Sequence, residues 1–211
     1  MIFASNNKGK LKEIKSIFDT EEIKSLKEAN IEIDVVEDQD SFYGNALKKA
    51  KEIFAITNTP VIADDSGLCI DTFEGWPGIL THRFAGEKAT DEERNHTIIN
   101  KLSGNKNRQA KVICTLVYYD GQDIIVGEGH LPGNITLTPR GENGFGFDPI
   151  FELENGKTLA ELTPSEKNKC SARYLAAVDL KEKLIKKEKK LKTKINDLHN
   201  HSIYTIINKQ L

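Results

Sequence analysis

Apolar residues enter the chain at once. Met1, Ile2, Phe3 and Ala4 read as a short buried strand, and the polar run Ser5-Asn6-Asn7-Lys8-Gly9-Lys10 turns the chain out of it. Leu11, Ile14, Ile17 and Phe18 then recur at helical spacing, so a helix follows the turn. Residues 31–36 alternate loosely between apolar and polar and predict a second strand. Leu47, Ala50, Ile53 and Phe54 share one side of a helix predicted over Phe42–Thr57. Residues 60–63 form a very short apolar strand that ends in Asp64-Asp65-Ser66-Gly67. Strand, helix, strand, helix, strand in succession indicates α/β layering.

The second half changes character. Gly75-Trp76-Pro77-Gly78 is a turn cluster. A helix is expected over 91–102, with Thr90 as its N-cap and Glu93 completing a capping box. Gln109–Tyr119 and residues 122–131 flank Asp120-Gly121, the signal of a two-residue hairpin, so these two strands are antiparallel and the second continues toward 135–137. Residues 141–151 are glycine-rich and aromatic. Thr163-Pro164-Ser165-Glu166 caps a final helix that runs to about residue 184.

Composition narrows the class. The chain has 211 residues, 38% hydrophobic and 29% charged, which fits a globular protein of one large domain or two small lobes. A net charge of −2 gives no overall sign of a nucleic-acid coat or a membrane-surface protein, and no apolar run reaches the roughly 18 residues of a membrane span. The N-terminus lacks the charged and apolar regions of a signal peptide. Cys69, Cys114 and Cys170 are far apart, odd in number and without a CxxC pair, so a disulfide framework or zinc site is not expected; reduced thiols fit the cytoplasm. Residues 186–211 are lysine-rich, with Leu184, Leu191 and Leu198 seven apart and Ile195 between them. They read as a basic helical extension, 186–211, of a domain spanning 1–185, with a heptad-based coiled or partner-binding segment as the alternative, and the near-neutral body argues against a nucleic-acid partner.

Several segments carry possible chemistry. Adjacent carboxylates Asp64 and Asp65 repel one another and demand a cation, and strand ends are where α/β sheets bind ligands. A hard divalent ion such as Mg²⁺ takes one or two carboxylates and completes its shell with water and phosphates. The plain alternative is a solvated Asp-Ser-Gly turn. Glu37-Asp38-Gln39-Asp40 follows the second predicted strand, which, if parallel and adjacent, places Glu37 beside Asp65; otherwise it is an exposed acidic loop. The run Ser5 to Lys10 joins a strand to a helix N-terminus, where amides attract phosphate, although its spacing is not that of a Walker A loop. Phe145 and Phe147 in Gly144-Phe145-Gly146-Phe147-Asp148 offer faces to a nucleobase, or else fill a structural turn. Lys167 and Arg173 are surface cations in the simplest reading.

In this order, the segments resemble the ITP/XTP pyrophosphatases, enzymes that remove non-canonical purine nucleoside triphosphates. The similarity spans residues 1 to about 184. It rests on Ser5 to Lys10, Asn45-Ala46 with Lys49-Ala50, Ile62-Ala63-Asp64-Asp65-Ser66-Gly67-Leu68, Pro77-Gly78-Ile79, Gly144-Phe145-Gly146-Phe147-Asp148-Pro149-Ile150-Phe151, and Ala160-Glu161-Leu162-Thr163 with Glu166-Lys167. It implies two α/β lobes around a long mixed sheet, helices on both sides, a central cleft and a homodimer. It also implies a Mg²⁺-dependent conversion of ITP, dITP or XTP to the monophosphate and pyrophosphate. Asp65 would be the general base and a metal ligand, with Glu37 the other metal carboxylate and Asp64 close by. Ser5, Asn6, Asn7, Lys8, Gly9 and Lys10 would bind the triphosphate, and Ser66 would touch the substrate. Phe145, Gly146, Phe147, Asp148, Lys167, Ala172 and Arg173 would hold base and sugar.

Two positions depart from the family pattern. Ser171-Ala172-Arg173 stands where Ser-His-Arg is usual, removing a histidine that grips the purine; His82, in Thr81-His82-Arg83, stands in a segment that is often Ser-Ala-Arg in the family and is a candidate to compensate. Gly44 stands where a glutamate commonly precedes the Asn-Ala pair. These departures keep a second reading open, a nucleotide-binding protein with weakened catalysis.

Overall fold

The computed structural model describes residues 1–20, 22–86 and 88–207, with side chains through Thr193. Six strands form one mixed sheet in the order β2-β1-β3-β4-β5-β6. Strands β1 (Ile2–Phe3), β2 (Lys24–Ser25) and β3 (Val61–Ile70) are parallel, and β4 (Gln109–Tyr119), β5 (Ile124–Ile135) and β6 (Phe151–Glu152) continue the sheet antiparallel. Helix α1 (Lys8–Phe18) connects β1 to β2, and α2 (Phe42–Thr57) precedes β3. Helix α3 (Asp91–Lys101) lies between β3 and β4, and α4 (Pro164–Lys167) and α5 (Ala172–Ile207) end the chain.

Alternation along β3 divides the core. Ile62, Leu68 and Ile70 face a larger cluster built with Ile14 of α1, Ile98 of α3 and Ala176 and Leu180 of α5. Val61 and Ala63 face a smaller cluster with Ala46, Ala50 and Ile53 of α2. The sheet is thus covered on both sides, and β3 is apolar on both faces except at Asp64, Asp65 and Ser66, as suits a covered central strand. Small residues set how close α5 lies to the sheet. A Cβ at Gly127 would come within 2.2 Å of the Ala176 carbonyl oxygen, and one at Gly129 within 2.0 Å of that of Ala172.

Four expectations need correction. Residues 31–36 form no strand; the parallel neighbour of β1 is Lys24–Ser25. The alternation there reflects real burial, because Ile31, Ile33 and Val35 lean on the α2-side cluster, but the segment packs by side chains without a backbone ladder. Strand β3 does not stop before Asp64: it runs through both acids to Ile70, because β4 pairs with it from Val61 to Ile70. The β4–β5 loop holds four residues, since Tyr119 pairs with Ile124, and Asp120 Oδ1 ties it by accepting from the amides of Gln122 and Asp123. The last helix is broken. Thr163 and Glu166 cap α4 as expected, but α4 ends at Lys167 and α5 restarts at Ala172, where Ser171 Oγ accepts from the Tyr174 amide.

Other expectations hold, including the bounds Phe42–Thr57 and the Thr90–Glu93 capping box. Helix α5 runs without interruption past residue 185, so the extension continues the last helix of the domain. The heptad reading at Ile195 and Leu198 lies outside the described side chains, and residues 208–211 lie outside the described chain. All three cysteines are free thiols. Among the described residues, no helix is long and apolar enough to cross a membrane.

Gly129→Ala should separate α5 from β5 and cost about 1–3 kcal/mol, the usual scale of overpacking. Urea unfolding checks this through a lower midpoint at unchanged slope. A midpoint equal to wild type would contradict the close-approach reading.

Candidate active site

Strand β1 pairs with β3 only at Val61 and Ile62, and the Ala4 amide makes the last bond, 2.8 Å to the Ile62 carbonyl. Further along that edge, the turn at residues 77–81 closes on β3, with the Leu68 amide donating to Thr81 Oγ1 at 3.0 Å. Between the two, the edge of β3 at Asp64, Asp65 and Ser66 faces a cleft. This is the carboxyl end of β1 and the start of the Ser5–Lys10 turn, the place where α/β sheets collect ligands.

The two acids point to opposite faces of the strand and meet opposite environments. Asp64 is buried, with Lys10 Nζ at 3.0 Å and Arg173 Nη2 at 3.2 Å. Burial alone would raise its pKa, but Lys10, Arg173 and Lys49 outweigh that and hold the carboxyl well below the usual range. Arg173 is itself buried and also holds Glu13 Oε2 at 3.0 Å and Ser66 Oγ at 3.2 Å. Asp65 faces α2. Its Oδ2 accepts from Asn45 Nδ2 at 2.9 Å and its Oδ1 from the Ser66 amide at 2.9 Å. Burial, with the neighbouring charges of Glu37 and Asp64, pushes its pKa to about 6 against the opposing pull of Lys49 and Asn45. A carboxylate that takes a proton near neutrality is suited to base catalysis.

Glu37 arrives beside Asp65 on a loop, not at the end of a strand. Lys49 Nζ binds Glu37 Oε1 at 2.6 Å and also donates to the Asp64 carbonyl. Burial would lower the pKa of Lys49, but Asp64, Glu37 and Asp65 together raise it. An ammonium is thus held where three acids meet. Among the described residues no three His, Cys, Asp or Glu side chains form a preformed metal cage. Glu37 and Asp65 are the carboxylates that could donate to a divalent ion of the kind that completes its shell with water and phosphate. Asp64 is already committed to Lys10 and Arg173.

Two chambers flank this edge. A polar one of about 570 Å³ is lined by Ser5, Asn6, Glu37, Lys49 and Asp64; a smaller apolar one of about 100 Å³ is lined by Phe145, Phe147, Asp148, Lys167, Ala172 and Ser66. Lys10 and His82 line both. In the apolar chamber, Asp148 Oδ2 accepts from Lys167 Nζ at 2.5 Å and from the Phe145 amide at 2.7 Å, and the Lys167 ammonium lies 4.2 Å from the centre of the Phe145 ring. Burial raises the Asp148 pKa against the pull of Lys167. Phe147 stacks on Phe84 at 6.4 Å.

The pattern of the Ham1 family matches residues 1–183. The chain belongs to the Ham1 family. It is 42% identical over 178 residues to the dITP/XTP pyrophosphatase of Bacillus subtilis, covering 82% of this chain and 90% of that protein. It is 40% identical over 187 residues to that of Shouchella clausii, covering 86% and 94%. Among solved structures it is similar to the Ham1 protein of Staphylococcus aureus, with a TM-score of 0.81, 35% identity, and 88% and 98% of the two chains covered.

Within this Ham1 chain, most of the residues expected at the site line the two chambers, but Asp65 is buried and lines neither. Ser5, Asn6 and Asn7 are engaged in shaping the turn. Ser5 Oγ accepts from the Asn7 amide, Asn6 Oδ1 from the Lys27 amide, and Asn7 caps α1 through the Lys10 amide. Gly9 opens α1 against the Phe145 ring. Lys8 lines a separate groove along α1 with Leu11, Lys12 and Lys15. Ala172 is buried against the core cluster, and His82 is exposed at the shared mouth of the two chambers, its pKa lowered by partial desolvation and Lys10. Gly44 leaves room for Gln39: a Cβ there would meet the Gln39 Cβ at 2.8 Å. Sequence reasoning assigned no role to Glu13, Asn45 or Lys49. The signal for two of them was available, because Asn45 and Lys49 are four apart on α2 and so face β3 together.

Ionisation of Asp65 is disfavoured in the folded state, so folding takes up a proton between the ordinary aspartate range and pH of about 6, and stability falls as pH rises through that window. In the metal-free protein, a carboxyl-carbon NMR titration, assigned with Asp65→Asn, should show one aspartate with a midpoint near 6. A midpoint in the ordinary range would contradict the placement.

Proposed function

We propose that this chain hydrolyses non-canonical purine nucleoside triphosphates, ITP, dITP and XTP, to the monophosphate and pyrophosphate, as a Mg²⁺-dependent cytoplasmic homodimer. The observation that carries this reading is the pairing of chambers: a polar one lined by Glu37, Lys49 and Asp64, next to the near-neutral carboxyl of Asp65, shares Lys10 with an apolar one that carries two phenylalanines. The names borne by the relatives point the same way.

Glu37 and Asp65 would hold the ion, which when bound neutralises phosphate charge and acidifies water. Asp65 accepts or orients the proton of the water that attacks the phosphorus next to the sugar. Lys10 and Lys49 offset the charge that grows on the phosphate oxygens. Asn45 and the Ser66 amide fix the Asp65 carboxylate so that it cannot rotate away. Phe145 and Phe147 hold the base. Hypoxanthine and xanthine carry an oxygen at C6 where adenine carries an amino group, so a pocket that donates hydrogen bonds there leaves adenine mismatched.

Gly44 and Ala172 favour one other reading, binding without efficient turnover. Pyrophosphate release from ITP, XTP, dATP and GTP, with Mg²⁺ or with EDTA, separates the two. Release from ITP and XTP that EDTA abolishes is expected; tight ITP binding with no release would favour the second. Asp65→Asn should lower kcat roughly 10²–10⁴-fold, the usual contribution of a general base, while circular dichroism stays unchanged. Activity close to wild type would remove Asp65 from its role. Ala172→His should lower the KM for ITP, since it adds a donor to the pocket wall; an unchanged KM would show that other groups close the pocket.

A further inference from the structure

The aromatic wall of the apolar chamber is a loop, and a loop needs something to set its position. Gly146, between Phe145 and Phe147, is held by both of its backbone groups. Its amide donates to Asp91 Oδ2 at 2.7 Å, and its carbonyl accepts from Asn95 Nδ2 at 3.0 Å. Asp91 and Asn95 are four apart in the first turns of α3 and so lie on one side of it. Asn95 is 4% exposed, and among the described residues its Oδ1 has no partner, so Gly146 is the one polar contact that places this side chain. The Asp91 carboxylate is shared: Oδ1 accepts from Arg94 Nη2 at 2.6 Å, and Arg94 Nη1 reaches the carbonyls of Ala89 at 2.5 Å and His82 at 3.4 Å. One acid therefore ties the Phe145–Phe147 wall to the segment that carries His82. Burial opposes its charge, but Arg94 and the Gly146 amide keep it ionised.

We propose that Asp91 and Asn95 are positioning residues that fix the gap between Phe145 and Phe147 and thereby set affinity for the purine, without touching it. This rests on the reading of that chamber as the base pocket. It separates base grip from phosphate chemistry, because neither residue is among those that line the polar chamber.

The test uses the full chain and two readouts. One is steady-state hydrolysis of ITP with Mg²⁺, with inorganic triphosphate, which has no base, as competitive inhibitor. The other is fluorescence of Trp76, the single tryptophan, which stands edge-on to Phe84 at 4.9 Å, next to the Phe84–Phe147 stack. Asp91→Ala and Asn95→Ala should each raise the KM for ITP roughly tenfold, the size of one lost hydrogen bond at a structured site, with kcat within about twofold and the inhibition constant of inorganic triphosphate unchanged. Asp91→Asn keeps an acceptor for the Gly146 amide and should restore most of the affinity. An unchanged KM in both alanine variants, or a parallel rise in KM and in the triphosphate constant, overturns the proposal. If the wild-type protein binds ITP but does not turn it over, the hydrolytic reading fails alone. The Trp76 titration of wild type and variants then decides this proposal by the same tenfold criterion.

Discussion

Two adjacent carboxylates on a covered strand are the constraint around which this molecule is arranged. Strand alternation sends Asp64 and Asp65 to opposite faces of β3, at a stretch where the neighbouring strand has ended. Neither charge is tolerable there unaided, since a buried ion without a partner costs several kcal/mol. The surrounding elements supply the answer. Helix α1 brings Lys10, the restart of α5 brings Arg173, and α2 brings Asn45 and Lys49. Asp64 receives two cations and is neutralised. Asp65 receives the Asn45 amide and the repulsion of Glu37, and burial raises its pKa to about 6.

This division gives the cleft its two chemistries. On the polar side, Lys49 ties Glu37 to the β3 edge through the Asp64 carbonyl, which on the proposed reading assembles the donors for a cation. On the apolar side, the chamber measures about 100 Å³, below the roughly 300–1,000 Å³ typical of small-molecule sites. On the proposed reading a purine would have to displace the aromatic loop, and the anchors of that loop would set how tightly the base is held. Lys10 lines both chambers, so on the proposed reading base recognition and phosphate chemistry meet there.

Much of this was legible in the chain, and the rest failed for identifiable reasons. The amphipathic spacing of Leu47, Ala50, Ile53 and Phe54 located α2 to the residue, and Thr90 with Glu93 located the start of α3, because capping and periodicity are local physics. The Ile31–Val36 alternation misled because burial by packing and burial in a ladder leave the same pattern. Strand β3 looked short because two acids interrupt its apolar run, and only the pairing with β4 and the cations from α1 and α5 make them tolerable inside a sheet. The same non-local origin hid Glu13, 160 residues from Arg173 along the chain. The acids themselves, Lys10, Lys167, Arg173 and the aromatic loop were visible as motifs; which residue pairs with which was not, because pairing comes from the fold.

The different burdens of the two acids can be measured directly by urea unfolding of Asp64→Asn and Asp65→Asn at pH 7 without metal. Asp64→Asn leaves Arg173 and Lys10 short of a counter-charge and should lose about 3–5 kcal/mol of stability, the scale of a broken buried ion pair. Asp65→Asn removes a carboxylate that folding disfavours and should be as stable as wild type or more so. Equal losses in both variants, or a greater loss at Asp65, would contradict the account.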